Sequence, residues 1–447
     1  MYHPAQDLIG RGAIRTDKDR HWYLAALVSL TFIIVGTLVY PDTYIRVAFH
    51  VGSVRISPMP LIFIISFPAI MLFIYHHRIL LKWSILDTMM LLTTLFVCLR
   101  GVLAATNVDE LGLVFGFVGY ILLTYYGAAF ISQVDLRVLY YILAITGIFV
   151  AAYAIIEFGL GENILFSGIL KSDLVPFIPK HYYRSSSTLG GSGQLGTFMI
   201  QVVPFFMFFF LRGKSELKRV LWCLAIIMSL LSLLLSFGKD PWFTASFLAI
   251  AGVVWLVWKN RTQAKSLLFL FFSIVISLST FILVFHSTVY AGTFSKARTS
   301  ESFKPREYMW SRVPSTFMSN PLIGAGLWQG NAQVFQVNPS IDYKNRPKSI
   351  DNQYLTALIE QGFIGSVLIG STLLIIFVQG WKVLSSNQNI ASIGWPLGAC
   401  MIATLINGAT TNDLMIWPNM VVFWFSAGML RALVEKTRRN TEISLHF

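Results

Sequence analysis

Residues 351–365 read DNQYLTALIEQGFIG, a carboxylate and a carboxamide set directly before a long apolar run. Glu360, Gly362 and Gly365 then interrupt that run. Asp351 has two readings. At the start of a helix it is an N-cap, favoured by the helix dipole and the open N–H groups of the first turn. At a membrane surface, facing a basic loop, it is placed to accept a proton from a substrate hydroxyl, with Asn352 orienting it or the acceptor. Glu360 lies about 13 Å further along the axis at 1.5 Å per residue, and an ionisable group at that depth must face the protein interior or a polar cavity. Gly362 and Gly365 suit the close approach of a second helix.

Three more stretches carry residue types that handle anions. SNPLIGAGLWQGN (319–331) places Pro321, Gly324, Gly326 and Gly330 in a segment that cannot be ordinary helix, a turn whose N–H groups would meet a ligand. KPREYMWSRV (304–313), just upstream, sets Trp310 one turn after Arg306. KHYYRSSSTLGGSGQLGTF (180–198) sets Arg184 before a Ser/Gly run, an anion nest or simply a flexible loop. LLLSFGKDPWFTASF (233–247) holds Lys239 on a very short turn, where Asp240 beside it reads as a self-neutralising neighbour. Tyr182, Tyr183, Trp310 and Trp328 could stack on a substrate's rings, or else anchor the chain at a membrane interface, and Tyr354 joins the candidate binding residues. His181 stands beside them, and Arg100 and Glu157 near the ends of their own apolar runs would pair or line the same cavity.

The elements that must position these residues are transmembrane helices. The chain has 447 residues, 55% hydrophobic and 12% charged, against about 25% charged in a soluble domain, and its mean hydropathy is +0.65. Runs long enough to cross a bilayer recur along it, and the expected fold is an all-α polytopic membrane protein of about twelve transmembrane helices. The expected spans are 23–40, 59–75, 83–104, 110–131, 138–158, 194–211, 220–237, 241–258, 266–287, 353–378, 392–409 and 414–430. A cytoplasmic segment, 1–22, precedes them without a cleavable signal, and a cytoplasmic tail, 431–447, follows.

Lys and Arg in RGKSELKR (212–219), KNRTQAK (259–265) and both ends of the chain put the termini inside. Two long segments then face outward: a loop at about 159–193, and a large one at 288–352 carrying short helices. Loops of that length usually serve as lids or binding surfaces, and the net positive charge of the second suits a phosphate or diphosphate ligand. All four stretches fall on this one side. Cys98, Cys223 and Cys400 lie within apolar runs and read as small hydrophobes. Neither a metal cluster nor a disulfide framework is apparent, and nothing points to nucleic acid.

The order of these features resembles the O-antigen ligase and polymerase superfamily of bacterial polysaccharide assembly, over about residues 90–430. The resemblance rests on Arg184 with TLGGSGQLGTF, the basic residue in SFGKDPW, Arg306-x-x-x-Trp310, NPLIGAG and DNQYLTALIEQGFIG. It implies a fold similar to C-type glycosyltransferases, in the bacterial inner membrane, with a periplasmic site. It implies a glycan donor carried on undecaprenyl diphosphate, a glycan acceptor, no metal or other cofactor, and inversion at the anomeric carbon. Arg184, Arg306 and Lys239 would grip the diphosphate, with Asp351 as the base.

Two positions depart from the ligase pattern. Lys239 stands where ligases have Arg, which keeps the charge and loses the bidentate grip. Asp351 stands where they have His. An Asp-Asn pair is familiar among exopolysaccharide polymerases, so polymerisation is expected ahead of ligation to lipid A-core. A flippase and a chain-length regulator follow as partners from pathway logic. A transporter would show internal repeats and functional residues at the midplane, and a non-catalytic assembly subunit would tolerate loss of Asp351 and Arg306.

Overall fold

The computed structural model describes residues 17–39, 49–51, 54–56, 58–77, 82–164, 184–189, 191–259, 296–337, 350–386, 388–412 and 417–444. Among them are α1 (Asp17–Val39), α2 (Pro58–His77), α3 (Ile85–Ala104), α4 (Val108–Leu160), α5 (Ser192–Arg212), α6 (Glu216–Leu235) and α7 (Lys239–Lys259). Then come α8 (Lys296–Ser319), α9 (Gly330–Val337), α10 (Gln353–Ser385), α11 (Gln388–Asn407) and α12 (Trp417–Ser444). A two-stranded antiparallel ribbon, Phe49–Val51 with Val54–Ile56, links α1 to α2.

The protein is a polytopic helical membrane protein. Six described stretches are long and apolar enough to cross a bilayer: 85–104, 110–160, 192–212, 216–235, 353–385 and 390–407. The span expected at 266–287 lies outside the described residues.

The stretch 110–160 is more than one crossing. Straight, it would run about 77 Å at 1.5 Å per residue, more than twice a hydrocarbon core of about 30 Å. The helix is interrupted at Asp135 (φ −147°, ψ 96°). Its carboxylate accepts the N–H of Arg137 at 2.9 Å and of Val138 at 3.2 Å, an N-cap for the second arm. Residues beside the break meet one end of the bundle: Lys436 Nζ donates to the Ser132 carbonyl at 2.8 Å, and the Tyr140 hydroxyl to that of Ile393 at 2.7 Å. Phe117 and Glu157, one on each arm, meet residues of the opposite end. The two arms are therefore antiparallel, and they correspond to the spans expected at 110–131 and 138–158.

The core runs through α4, α5, α11 and α12, where Phe198, Phe205, Phe206, Phe423 and Phe425 are fully buried. Far from the loops that concern function, Arg431 of α12 donates to Asp87 of α3 at 3.1 and 3.2 Å and meets Glu435 at 3.5 Å, all three buried. The Tyr125 hydroxyl reaches the other Asp87 oxygen at 3.2 Å. Buried together, these charges tie the start of α3 to α12, with the Ser84 N–H and hydroxyl also donating to Asp87 and Arg431 donating to the Lys82 carbonyl.

α10 is broken too. Gly362 has φ 63° and ψ −166°, a region that is essentially glycine-only, so α10 consists of a short arm (353–361) and a long arm (363–385). The long arm, about 35 Å at 1.5 Å per residue, crosses a bilayer by itself. Glu360 keeps its expected place about 13 Å along a helical axis, but near the end of the separate short arm, level with the Arg100–Ala104 end of α3, to which Gly326 is tightly packed.

Candidate active site

Residues 184–189 fold around Glu157. Its carboxylate accepts the N–H groups of Ser186 (3.1 Å) and Ser187 (2.6 Å), the Ser186 hydroxyl (3.1 Å) and the Asn163 amide (3.1 Å). Four donors on one buried carboxylate make the Ser run a rigid turn instead of a flexible loop. Glu157→Gln removes the charge and sets an amide N–H₂ against donors, so a destabilisation of about 2 kcal/mol or more is expected. Thermal unfolding of the purified protein checks it.

The same turn delivers Arg184. The Ser185 N–H donates to the Leu235 carbonyl at 3.1 Å, and Arg184 Nε donates to that of Ser236 at 3.0 Å. Both acceptors lie at the end of α6. Phe237 then takes a left-handed conformation (φ 48°), Gly238 follows, and α7 opens at Lys239. Arg184 is thus docked on the turn that carries Lys239 and Asp240.

Asp240 is not neutralised by Lys239 alone. It accepts Arg306 Nη2 of α8 at 3.1 Å, while Arg306 Nε lies 3.5 Å from Asp351 Oδ2. Arg306 therefore stands between two carboxylates, one from α7 and one from the start of α10. Their side chains keep 23% and 40% exposure, against 21% for the arginine. The cluster is open to a ligand.

Packing explains the registration. Met309 and Val313 of α8 form a separate apolar cluster with Val334 of α9, Ile350 and Ile359. One turn past Arg306, Trp310 Nε1 donates to the Ile350 carbonyl at 2.9 Å, pinning the residue before Asp351. Asp351 takes φ 47°, which is uncommon outside glycine, Asn and Asp.

Asp351 is not the N-cap; Asn352 is. The Asn352 Oδ1 accepts the N–H groups of Tyr354 and Leu355, each at 3.0 Å, and its Nδ2 donates to the Ala409 carbonyl at 2.7 Å. With both ends engaged, Asn352 tethers the backbone and is not aimed at Asp351 or an acceptor. The Gln353 N–H donates to the carbonyls of Gly408 and Thr411, both at 2.9 Å. The Tyr354 hydroxyl donates to the Leu405 carbonyl at 2.6 Å.

The far end of the short arm is held by the NPLIGAG turn. The break at Gly362 opens carbonyls on one side and N–H groups on the other. Ala325 N donates to the Ile359 carbonyl and Gly326 N to that of Glu360, both at 2.8 Å. Phe363 N donates to Pro321 at 2.8 Å and Ile364 N to Leu322 at 3.1 Å. The N–H groups of Ala325 and Gly326 thus mend the broken helix, and that of Gly324 closes the turn on the Asn320 carbonyl at 3.0 Å, where a ligand-binding nest was expected. Glu360, 4% exposed, accepts the Gly330 N–H at 3.2 Å and lies sealed under the turn. Arg100 does not pair with Glu157: its Nε and Nη2 donate to the carbonyls of Ile323 (2.7 Å) and Gly324 (2.6 Å).

A partly open apolar pocket lies beneath the short arm. Val97, Phe117, Ala357, Leu373 and Trp424 line it, and Gln353 and Tyr354 form its wall next to Asp351.

Residues 242–370 match the model of the O-antigen ligase family. Over that stretch the chain is similar to O-antigen ligases, which supports the resemblance to the O-antigen ligase and polymerase superfamily. A search of curated proteins finds no match. The O-antigen ligase region contains Arg306, Trp310, the NPLIGAG turn, Asp351 and both sides of the helix break. It begins two residues after Asp240, so Arg184, Lys239 and Asp240 come to it from outside. His181, Tyr182 and Tyr183 lie outside the described residues. The pairing of Asp240 with Arg306 and the role of Arg100 escaped the sequence reading, although a carboxylate in the first turn of α7, in the same short motif as Lys239, was a usable signal.

Proposed function

We propose that this protein is a glycosyltransferase that polymerises oligosaccharide units linked to undecaprenyl diphosphate, at the periplasmic face of a bacterial inner membrane. The observation that carries this reading is Arg306, set between Asp240 and Asp351 where α7, α8 and α10 meet. The match to the O-antigen ligase family over residues 242–370 supports the reaction class.

In this reading the acceptor hydroxyl attacks the anomeric carbon of the donor sugar from the face opposite the diphosphate. Its proton passes to Asp351 as the new sugar–oxygen bond forms. The bond to the diphosphate oxygen breaks with its electron pair on the leaving group, and the configuration inverts. Arg184, Lys239 and Arg306 neutralise the charge that gathers there. The diphosphate draws the guanidinium of Arg306 away from Asp351, the longer of its two carboxylate contacts, which leaves that carboxylate open to take the proton. The pocket under the short arm, apolar and adjacent to Asp351, accommodates the lipid end of a substrate. Tyr354 lines the pocket and Trp310 stands one turn after Arg306, each with its polar group already bonded to backbone.

Ligation to lipid A-core is the second reading, favoured by the description of the matching family. The acceptor separates the two. Purified full-length protein, given an undecaprenyl-diphosphate repeat unit and EDTA, is expected to yield a ladder of longer lipid-linked glycans on a gel. Transfer to lipid A-core alone makes it a ligase. Elongation that EDTA abolishes removes the metal-independent mechanism, and no transfer to any glycan acceptor sinks both readings.

A further inference from the structure

We propose that Arg100 is a positioning residue: with the NPLIGAG turn it splices the broken helix α10 and so sets where Asp351 stands relative to Arg306. The inference rests on the glycosyltransferase reading only for its kinetic readout.

The short arm is a strut of nine residues held at both ends. At its start, Asn352 and Gln353 bond the carbonyls of Ala409, Gly408 and Thr411, and the Thr356 hydroxyl meets Asn412 Oδ1 at 3.0 Å. At its finish the helix has no continuous hydrogen-bond ladder. The four backbone bonds to residues 321–326 replace the ladder, so the angle between short and long arms depends on where that turn sits.

Of the side chains that bond the turn's backbone from another crossing, Arg100 makes two of the shortest contacts, through a planar fork onto consecutive carbonyls. A guanidinium holds two such acceptors in fixed geometry, whereas an ammonium is a point charge without that constraint. Neither carbonyl is among the groups that mend α10, so Arg100 holds the turn through acceptors the splice leaves free. It belongs to α3 and its partners here are backbone oxygens, which separates it from the cations that face the Arg306 cluster. It is a splice, not a ligand.

Arg100→Met and Arg100→Lys test this in the purified full chain in nanodiscs. Hydrogen–deuterium exchange is expected to rise at least tenfold in peptides spanning 321–327 and 359–365 of Arg100→Met. Peptides from α5 should stay at wild-type protection. Arg100→Lys should fall between wild type and Arg100→Met. In glycan transfer, kcat should fall at least tenfold with KM for the lipid-linked donor within about twofold, and Lys should restore part of the loss.

Unchanged exchange at the two peptides overturns the splice. A donor KM that rises tenfold with exchange unchanged makes Arg100 a donor ligand instead. Loss of protection throughout Arg100→Lys, α5 included, makes it a general stability residue and likewise overturns the proposal. The exchange measurement stands even if the wild type transfers no glycan, so failure of the functional reading and failure of this one are told apart.

Discussion

Asp351→Asn lowers kcat for glycan transfer by about 10²–10⁴-fold, the usual contribution of a positioned general base, and leaves the protein folded. The substitution keeps the size of the side chain and its hydrogen-bonding outline. It removes one ion pair, to Arg306 at 3.5 Å, on a carboxylate that is 40% exposed. Such a contact is worth at most about 1 kcal/mol, so a large kinetic loss beside an unchanged unfolding midpoint isolates chemistry from stability.

Asp240→Asn is the necessary companion. Asp240 holds the closer contact to Arg306, 3.1 Å, and losing that charge lets the guanidinium settle on Asp351 and compete with the proton. The expected loss is smaller, about tenfold in kcat/KM, because the base remains and only its freedom changes. A collapse in Asp240→Asn with near-normal Asp351→Asn reverses the assignment and makes Asp240 the base. Equal, full loss in both makes the two carboxylates a single unit around Arg306.

The helical membrane class was legible because hydropathy over about 20 residues reports directly on the solvent of a segment. Four separated stretches were also legible as one face, because the positive-inside pattern orders loops without any knowledge of contacts. What failed were inferences about the partner of a particular group. Asp351 and Asn352 are both good N-caps by type, and which of them caps depends on φ at residue 351, which is set by the Trp310 bond to Ile350.

Gly324 and Gly326 looked like a ligand nest because the residue types of a nest and of a backbone splice are the same. Only the break at Gly362 separates the two, and Gly362 itself looked like a helix-packing glycine inside an unbroken apolar run. Gly365 does behave that way: a side chain there would meet the Phe96 ring of α3 at 2.7 Å. Arg100 and Glu157 shared a level in the bundle and opposite charge, yet each had a nearer cluster of backbone groups to satisfy. Hydrogen-bond demand in a dry interior outweighed the long-range pairing that a one-dimensional reading suggests.

Gly362→Ala should be among the most damaging single-methyl substitutions in the chain. Its backbone sits at φ 63°, ψ −166°, and a Cβ would lie 2.5 Å from Gly324 N and 2.6 Å from Ile323 N. Those are main-chain atoms, so no rotamer relieves the clash. The protein must either push the turn away, forfeiting four backbone hydrogen bonds at about 0.5–1.5 kcal/mol each, or straighten α10 and carry Asp351 off its mark. A destabilisation of about 3 kcal/mol or more is expected, together with loss of transfer.

Gly370→Ala is the control: it lies in the long arm with nothing within 4 Å of its Cβ position, and alanine favours helix there. Gly324→Ala should match Gly362→Ala, since its own Cβ would lie 2.4 Å from Gly362 N. The double variant should cost clearly less than the sum of the two, because both break the same contact. Additive losses would mean two independent defects and no shared splice. A Gly362→Ala protein as stable as Gly370→Ala would mean that α10 runs unbroken through residue 362, and with it the positioning of Asp351 by the turn would fall.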